Sequence, residues 1–136
     1  MADETSEQQR HFEELQEQMR GHDSIVVTDE DGTEYALRYP RSTVKAMEAR
    51  GVTAQTAVEC FSEGTLTGAE RFVKEFFLPA FRAECPKVTE KAAYGIWQRV
   101  EGKQDLIALL TILFTQAVTS LVTDPTTGGR AKFRIV

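Results

Sequence analysis

The stretch DEDGTEYALRYPRSTVKAMEARG, residues 29–51, changes period once, at Pro40, and that change decides the fold. Before Pro40, Tyr35, Leu37 and Tyr39 alternate with Ala36 and Arg38, the period-two pattern of a strand with one buried face. Asp31-Gly32 suits the positive φ angles of a tight hairpin turn. Ile25-Val26-Val27 supplies the incoming strand, so residues 24–39 predict a β-hairpin. Pro40 ends the second strand and biases Tyr39 toward extended backbone. Beyond it, Ser42 can cap a short helix, with Val44 and Met47 on one side and Gly51 closing it.

Downstream the pattern is helical. Residues 52–66 are ambiguous: Ala54, Ala57, Val58 and Phe61 allow two turns, but Gly64 interrupts before Leu66. Thr67 stands three residues before Glu70, a capping-box spacing, and predicts a helix from Gly68 to about Glu84. Pro79 lies inside that span and predicts a kink or a break, because proline lacks the N–H and crowds the carbonyl four residues back. Pro86 closes the segment. Thr89 caps a helix carrying Ala93, Ile96, Trp97 and Val100 that ends near Gly102. The last helix runs from about Lys103 to Val122, where Asp124-Pro125 stops it, and Gly128-Gly129 reads as a flexible joint. FRIV, residues 133–136, can add as a strand or stay loose. The expected fold is α+β and mostly helical: an N-terminal hairpin followed by three to four packed helices, spanning residues 24–123, with a flexible tail over 124–136. A lone two-stranded hairpin is marginal, so it must pack on helices or on another subunit.

Upstream, residues 1–23 are Glu/Gln-rich. Phe12, Leu15 and Met19 make a thin apolar stripe, which predicts a frayed or docked helix or a disordered segment. The formal charge of the chain is −5, and residues 1–23 account for it, with seven acidic against two basic residues. The rest balances at fourteen of each, and a neutral body lacks the basic stripe that nucleic-acid binding requires. Arg130, Lys132 and Arg134 form a small basic cluster that reads first as solubility. Residues 106–122 are apolar over 17 positions but carry Thr111, Thr115, Gln116, Thr119 and Ser120, and read as a core helix rather than a membrane span.

Little in the chain resembles a reaction centre. His11 and His22 both lie in the acidic N-terminal segment, which removes histidine acid–base chemistry, triads and most transition-metal sites from the body. Asp29, Glu30 and Asp31 at the hairpin tip read as a solvated turn rather than a calcium loop. Cys60 and Cys85 lack metal spacing and, with no signal peptide, read as thiols in a reducing compartment. No cofactor or metal is expected, and nothing points to an enzyme, though a carboxylate-only one stays open.

One helix is unusually aromatic. Phe72, Phe76, Phe77 and Phe81, with Val73, span roughly half its circumference, wider than the usual core-facing stripe. Either the helix sits at the centre of the core, touched on two sides, or part of this face is left for a partner. We take these four phenylalanines as the candidate partner-binding surface, rimmed by Arg71, Lys74, Glu75 and Arg82. In the last helix Leu109 and Ile112 lie off the main face of Leu106, Leu110, Leu113, Ala117 and Leu121. Two over-wide apolar faces predict an oligomer or a client-binding groove.

The order of these features resembles a family of small phage and prophage tail assembly chaperones. The likeness rests on Tyr35, Leu37, Tyr39 and Arg41 in the strand, Val44, Met47, Glu48 and Gly51 in the next helix, Phe77, Ala80 and Phe81 in the aromatic helix, and the apolar helix from Leu106 to Leu121. It covers roughly residues 25–122; the acidic segment 1–23 and Pro79 depart from the pattern. The resemblance implies a non-enzymatic protein of the host bacterial cytoplasm that binds the tape measure protein, supports tail tube assembly with the tail tube protein as partner, and is absent from the finished particle; a homo-oligomer is the possibility that the apolar faces add. A structural tail or connector component and a host protein-binding adaptor are the alternatives.

Overall fold

The computed structural model describes residues 2–124 and 131–136. The hairpin forms where the period-two pattern places it: β1 (Ile25–Thr28) pairs antiparallel with β2 (Glu34–Leu37), Val27 opposite Tyr35 and Ile25 opposite Leu37. The connection is a five-residue loop rather than the expected two-residue turn. The Asp29 N–H donates to Thr33 O (2.8 Å) and the Gly32 N–H to Asp29 O (2.9 Å). Only Gly32 takes a positive φ, 85°, whereas a type I′ turn would require one at Asp31 as well.

Six helical rods follow or precede the hairpin among the described residues, more than the three or four expected. They are α1 (Ala2–Met19), α2 (Arg41–Ala49), α3 (Ala54–Ser62), a rod built of α4 (Leu66–Phe72), a π-helical stretch (Val73–Phe77) and α5 (Leu78–Arg82), then α6 (Glu90–Arg99) and α7 (Lys103–Thr119). The extra rods are α1 and α3, the two segments whose apolar patterns are thinnest or interrupted. The helix after the hairpin starts at Arg41 with Pro40 as its cap, so Ser42 stands inside the first turn and caps nothing. Its end is as read: Gly51 at φ 82° lets its own N–H reach Glu48 O and the Val52 N–H reach Met47 O, and Val52 is buried behind them.

Pro79 neither breaks nor stops its helix. The ladder widens to i→i+5 bonds over Val73–Phe77, with the Leu78 N–H donating to Val73 O, and resumes as α5. The widened stretch directly precedes Leu78-Pro79, whose proline ring crowds the carbonyl four residues back. Beside this stretch the Tyr39 hydroxyl donates to Phe76 O at 2.6 Å, within the core. Burial pushes the Tyr39 phenol well above its usual pKa, so it stays a donor at every ordinary pH. The cap of the same rod is Thr65, whose hydroxyl accepts from the Gly68 N–H at 3.1 Å, not Thr67. Thr89 caps α6 as predicted, accepting from the Ala92 N–H at 3.1 Å.

The aromatic rod is the axis of the core. α3, α6, the hairpin, α2 and, through Phe114, α7 pack around it, and α7 in turn receives α1, which buries Leu15 and Met19. Two of the three threonines of α7 satisfy themselves: the Thr111 hydroxyl donates to Ile107 O and the Thr119 hydroxyl to Thr115 O, each at 2.9 Å. Among the described residues no helix is long and apolar enough to cross a membrane. The Gly128-Gly129 joint and the Pro125 stop fall outside the described residues. Residues 133–136 are described, extended into solvent and in no strand.

Candidate functional site

The four phenylalanines do not form an exposed face. Phe72, Phe76 and Phe77 are 0 % exposed and Phe81 1 %. Phe72 stacks on Phe76 with centroids 5.0 Å apart, Phe76 meets Phe114 of α7 edge-on at 5.5 Å, Phe77 meets Trp97 of α6 at 4.9 Å, and Phe81 lies 4.9 Å from Tyr35 of the hairpin. The expected partner surface is thus corrected to core: three neighbours on three sides account for its width. Its supposed rim serves other ends. Arg71 donates to Glu75 at 2.9 Å, and the Arg82 guanidinium donates to Val88 O at 3.1 Å. Ile112 of α7, off the main face, is buried as well, whereas Leu121, counted on that face, lies beyond the helix and is 77 % exposed.

Apolar surface is left exposed elsewhere. Between α1, α3 and α7 runs an open groove of about 690 Å³, with Ala57 and Ala108 low in it and Phe12, Val58, Phe61 and Ile107 along its walls. Val58 is 59 % exposed, and Phe12 and Phe61 are each 37 % exposed. Small residues at the bottom and large ones at the sides make a trough, the shape that receives a helix. Phe61 is anchored from behind by Phe72, 5.1 Å away, which makes that wall rigid. The polar residues along the groove, Ser62, Gln104 and Thr111, are uncharged.

One wall of this groove is held by a titratable contact. His11 Nε2 of α1 lies 2.8 Å from Asp105 Oδ1 of α7, with Glu14 3.9 Å from the other ring nitrogen. The hydrogen bond to Asp105, its charge and that of Glu14 raise the His11 pKa above the ordinary 6.5. A raised histidine pKa means that the folded form prefers the proton. The stabilisation is therefore complete below the ordinary value and is lost as pH rises through the raised one. Backbone amides of α1 should accordingly exchange faster near pH ~8 than near pH ~6 after correction for intrinsic rates, and H11Q should remove most of that difference. An equal pH response in H11Q would assign the effect to another group.

The carboxylates at the hairpin tip are already committed. Arg99 of α6 donates to both oxygens of Asp29, at 3.0 and 2.9 Å, and holds that carboxyl below its usual pKa. Asp31 accepts from the Thr33 N–H at 2.9 Å, which lowers its pKa too. Cys60 is buried, and desolvation pushes its thiol up, away from nucleophilic use; Cys85 is half-buried and also a thiol.

Sequence reasoning found Phe12, Val58 and Phe61 as apolar positions but did not join them. They come from residues 12, 58 and 61 and face residues 104–111, and only the tertiary packing of α1 and α3 on α7 brings them together. Residues 18–135 match the family described as a domain of unknown function, DUF5055. No curated protein and no solved structure matches the chain.

Proposed function

The chain belongs to the DUF5055 family, and we propose that it works as a phage or prophage tail assembly chaperone, a non-enzymatic binder of the long helical tape measure protein that supports assembly of the tail tube. The reading starts from the resemblance over residues 25–122 and takes its binding surface from the groove. In it the protein acts in the cytoplasm of the host bacterium and leaves before the particle is finished. The carrying observation is the exposed apolar trough of Phe12, Val58 and Phe61 between α1, α3 and α7. An amphipathic helix fits such a trough by anchors at i, i+3, i+4 and i+7. Modest affinity at one groove becomes useful when many copies line one long client.

The test is co-expression with the tape measure protein of the same locus, comparing wild type with V58D. Val58 is a surface residue of α3, so the melting temperature should stay near that of wild type. Retention of the client should fall by about tenfold or more, since a charge replaces an apolar contact in the trough. Undiminished co-purification with V58D would move the site elsewhere. Failure of the wild-type protein to hold the tape measure protein, or its presence in purified particles, would defeat the chaperone reading itself.

A further inference from the structure

A second groove, of about 600 Å³, runs along the outer side of the hairpin, between β1 and the α6–α7 junction. Its apolar floor is Ile96, Val100, Leu106 and Leu109. Its wall is a strand edge with no strand beside it among the described residues: their sheet has two strands, and β2 lies on the other side of β1. Bonded and non-bonded pairs alternate along an antiparallel ladder. The Asp29–Thr33 bond at the turn puts Val27–Tyr35 and Ile25–Leu37 in the bonded set. The backbone N–H and C=O of Val26 and Thr28 then point away from β2, into the groove. The Val26 side chain is 55 % exposed, and among the described residues the outward N–H and C=O of Val26 and Thr28 have no hydrogen-bond partner. An open edge over an apolar floor is a template for one more strand.

The same chain carries a segment of matching chemistry. In AKFRIV, residues 131–136, Phe133 and Ile135 alternate with Lys132 and Arg134, which gives a strand one apolar and one basic face. Phe133 and Ile135 are each 95 % exposed and so lie outside the groove of their own copy. The groove is bordered by Asp29, Glu30, Glu101 and Asp105; Arg99 offsets Asp29 and His11 lies on Asp105, and the negative charge that remains is opposite to that of the segment. The family match runs through residue 135, which makes the segment part of the shared region rather than an appendage.

We propose that residues 131–136 of one copy add as a third strand to the β1 edge of a second copy, with Phe133 and Ile135 on the apolar floor and Lys132 and Arg134 toward the acidic border. The contact is heterologous: each copy offers one segment and one edge, so copies add head to tail, and the array stays open unless its rotation closes. This assembly stands independently of the client groove, which lies on the other side of α7's first turns and remains accessible in every copy.

The experiment is a complementation between two full-length variants. F133D/I135D keeps the edge and spoils the segment. V26P keeps the segment and removes an outward N–H, a change that an edge strand tolerates. Wild type should self-associate in sedimentation velocity, with the Val26 and Thr28 amides gaining protection as concentration rises and with weaker association at high salt. Each variant alone should associate more than about tenfold less tightly. Their mixture should form one-to-one dimers in which the labelled F133D/I135D partner shows shifts at Val26 and Thr28. A wild type that stays monomeric at all concentrations, a mixture that does not pair, or association that survives in F133D/I135D would each overturn the proposal. Protection of Val26 and Thr28 that does not depend on concentration would overturn it too, by assigning the edge to the copy's own segment.

Discussion

Phe76→Ala is expected to destabilise the protein by about 3–5 kcal/mol, the range for removing a fully buried ring. Phe76 is 0 % exposed, stacks on Phe72 and meets Phe114 edge-on, so its loss opens a void bounded by two rigid rings. The backbone around it cannot collapse to fill that void, because the Phe76 carbonyl is fixed by the Tyr39 hydroxyl inside the π-helical stretch. A domain of this kind has only about 5–15 kcal/mol in total. The substituted protein should therefore show a large drop in its urea midpoint and melting temperature, followed by far-UV circular dichroism. Phe76→Asp goes further, since it buries an unpaired charge, and should abolish the cooperative transition. A Phe76→Ala protein that melts within about 1 kcal/mol of wild type would return this ring to the surface.

The same residue shows where sequence reasoning stops. The hairpin was legible because a period of two and a glycine turn are local signals, and the Thr89 cap was legible for the same reason. The four phenylalanines were legible as one apolar face, but not as core. An over-wide apolar stripe has the same sequence whether a second face meets another subunit or meets α6 of the same chain. What settled it were Trp97, Phe114 and Tyr35, none of which is local to the rod. Helix starts failed in a different way. Thr67 with Glu70 has the better capping-box spacing, yet Thr65 is the cap, and the turn it opens lies in contact with α3. Both grooves lay beyond the sequence for a simpler reason. Each is built from three or four distant segments, and no single window contains its pattern.

That contact with α3 carries the last prediction. Gly68 stands in the first turn of α4, and a methyl group built on its Cα would overlap the carbonyl oxygen of Cys60 in α3 and come within 3.2 Å of Thr65 Oγ1. Its φ is not positive, so backbone freedom is not the reason for a glycine here. In a helix with room, alanine is preferred over glycine by about 0.8–1.0 kcal/mol. Here the obstacle is a backbone atom rather than the end of a flexible side chain, so α3 and α4 must separate, and overpacking of that kind costs about 1–3 kcal/mol. Gly68→Ala should thus be a net destabilisation. Gly95 supplies the contrast: it lies in α6, and a methyl group there meets only the Arg99 guanidinium, at 3.4 Å. Gly95→Ala should therefore raise the denaturant midpoint while Gly68→Ala lowers it; a gain at both positions would refute the close approach of α3 to α4. Because α3 carries Val58 and Phe61, the Gly68 variant also displaces one wall of the client groove. In the chaperone reading it should lose client by more than its fall in stability explains, and Gly95→Ala should lose none.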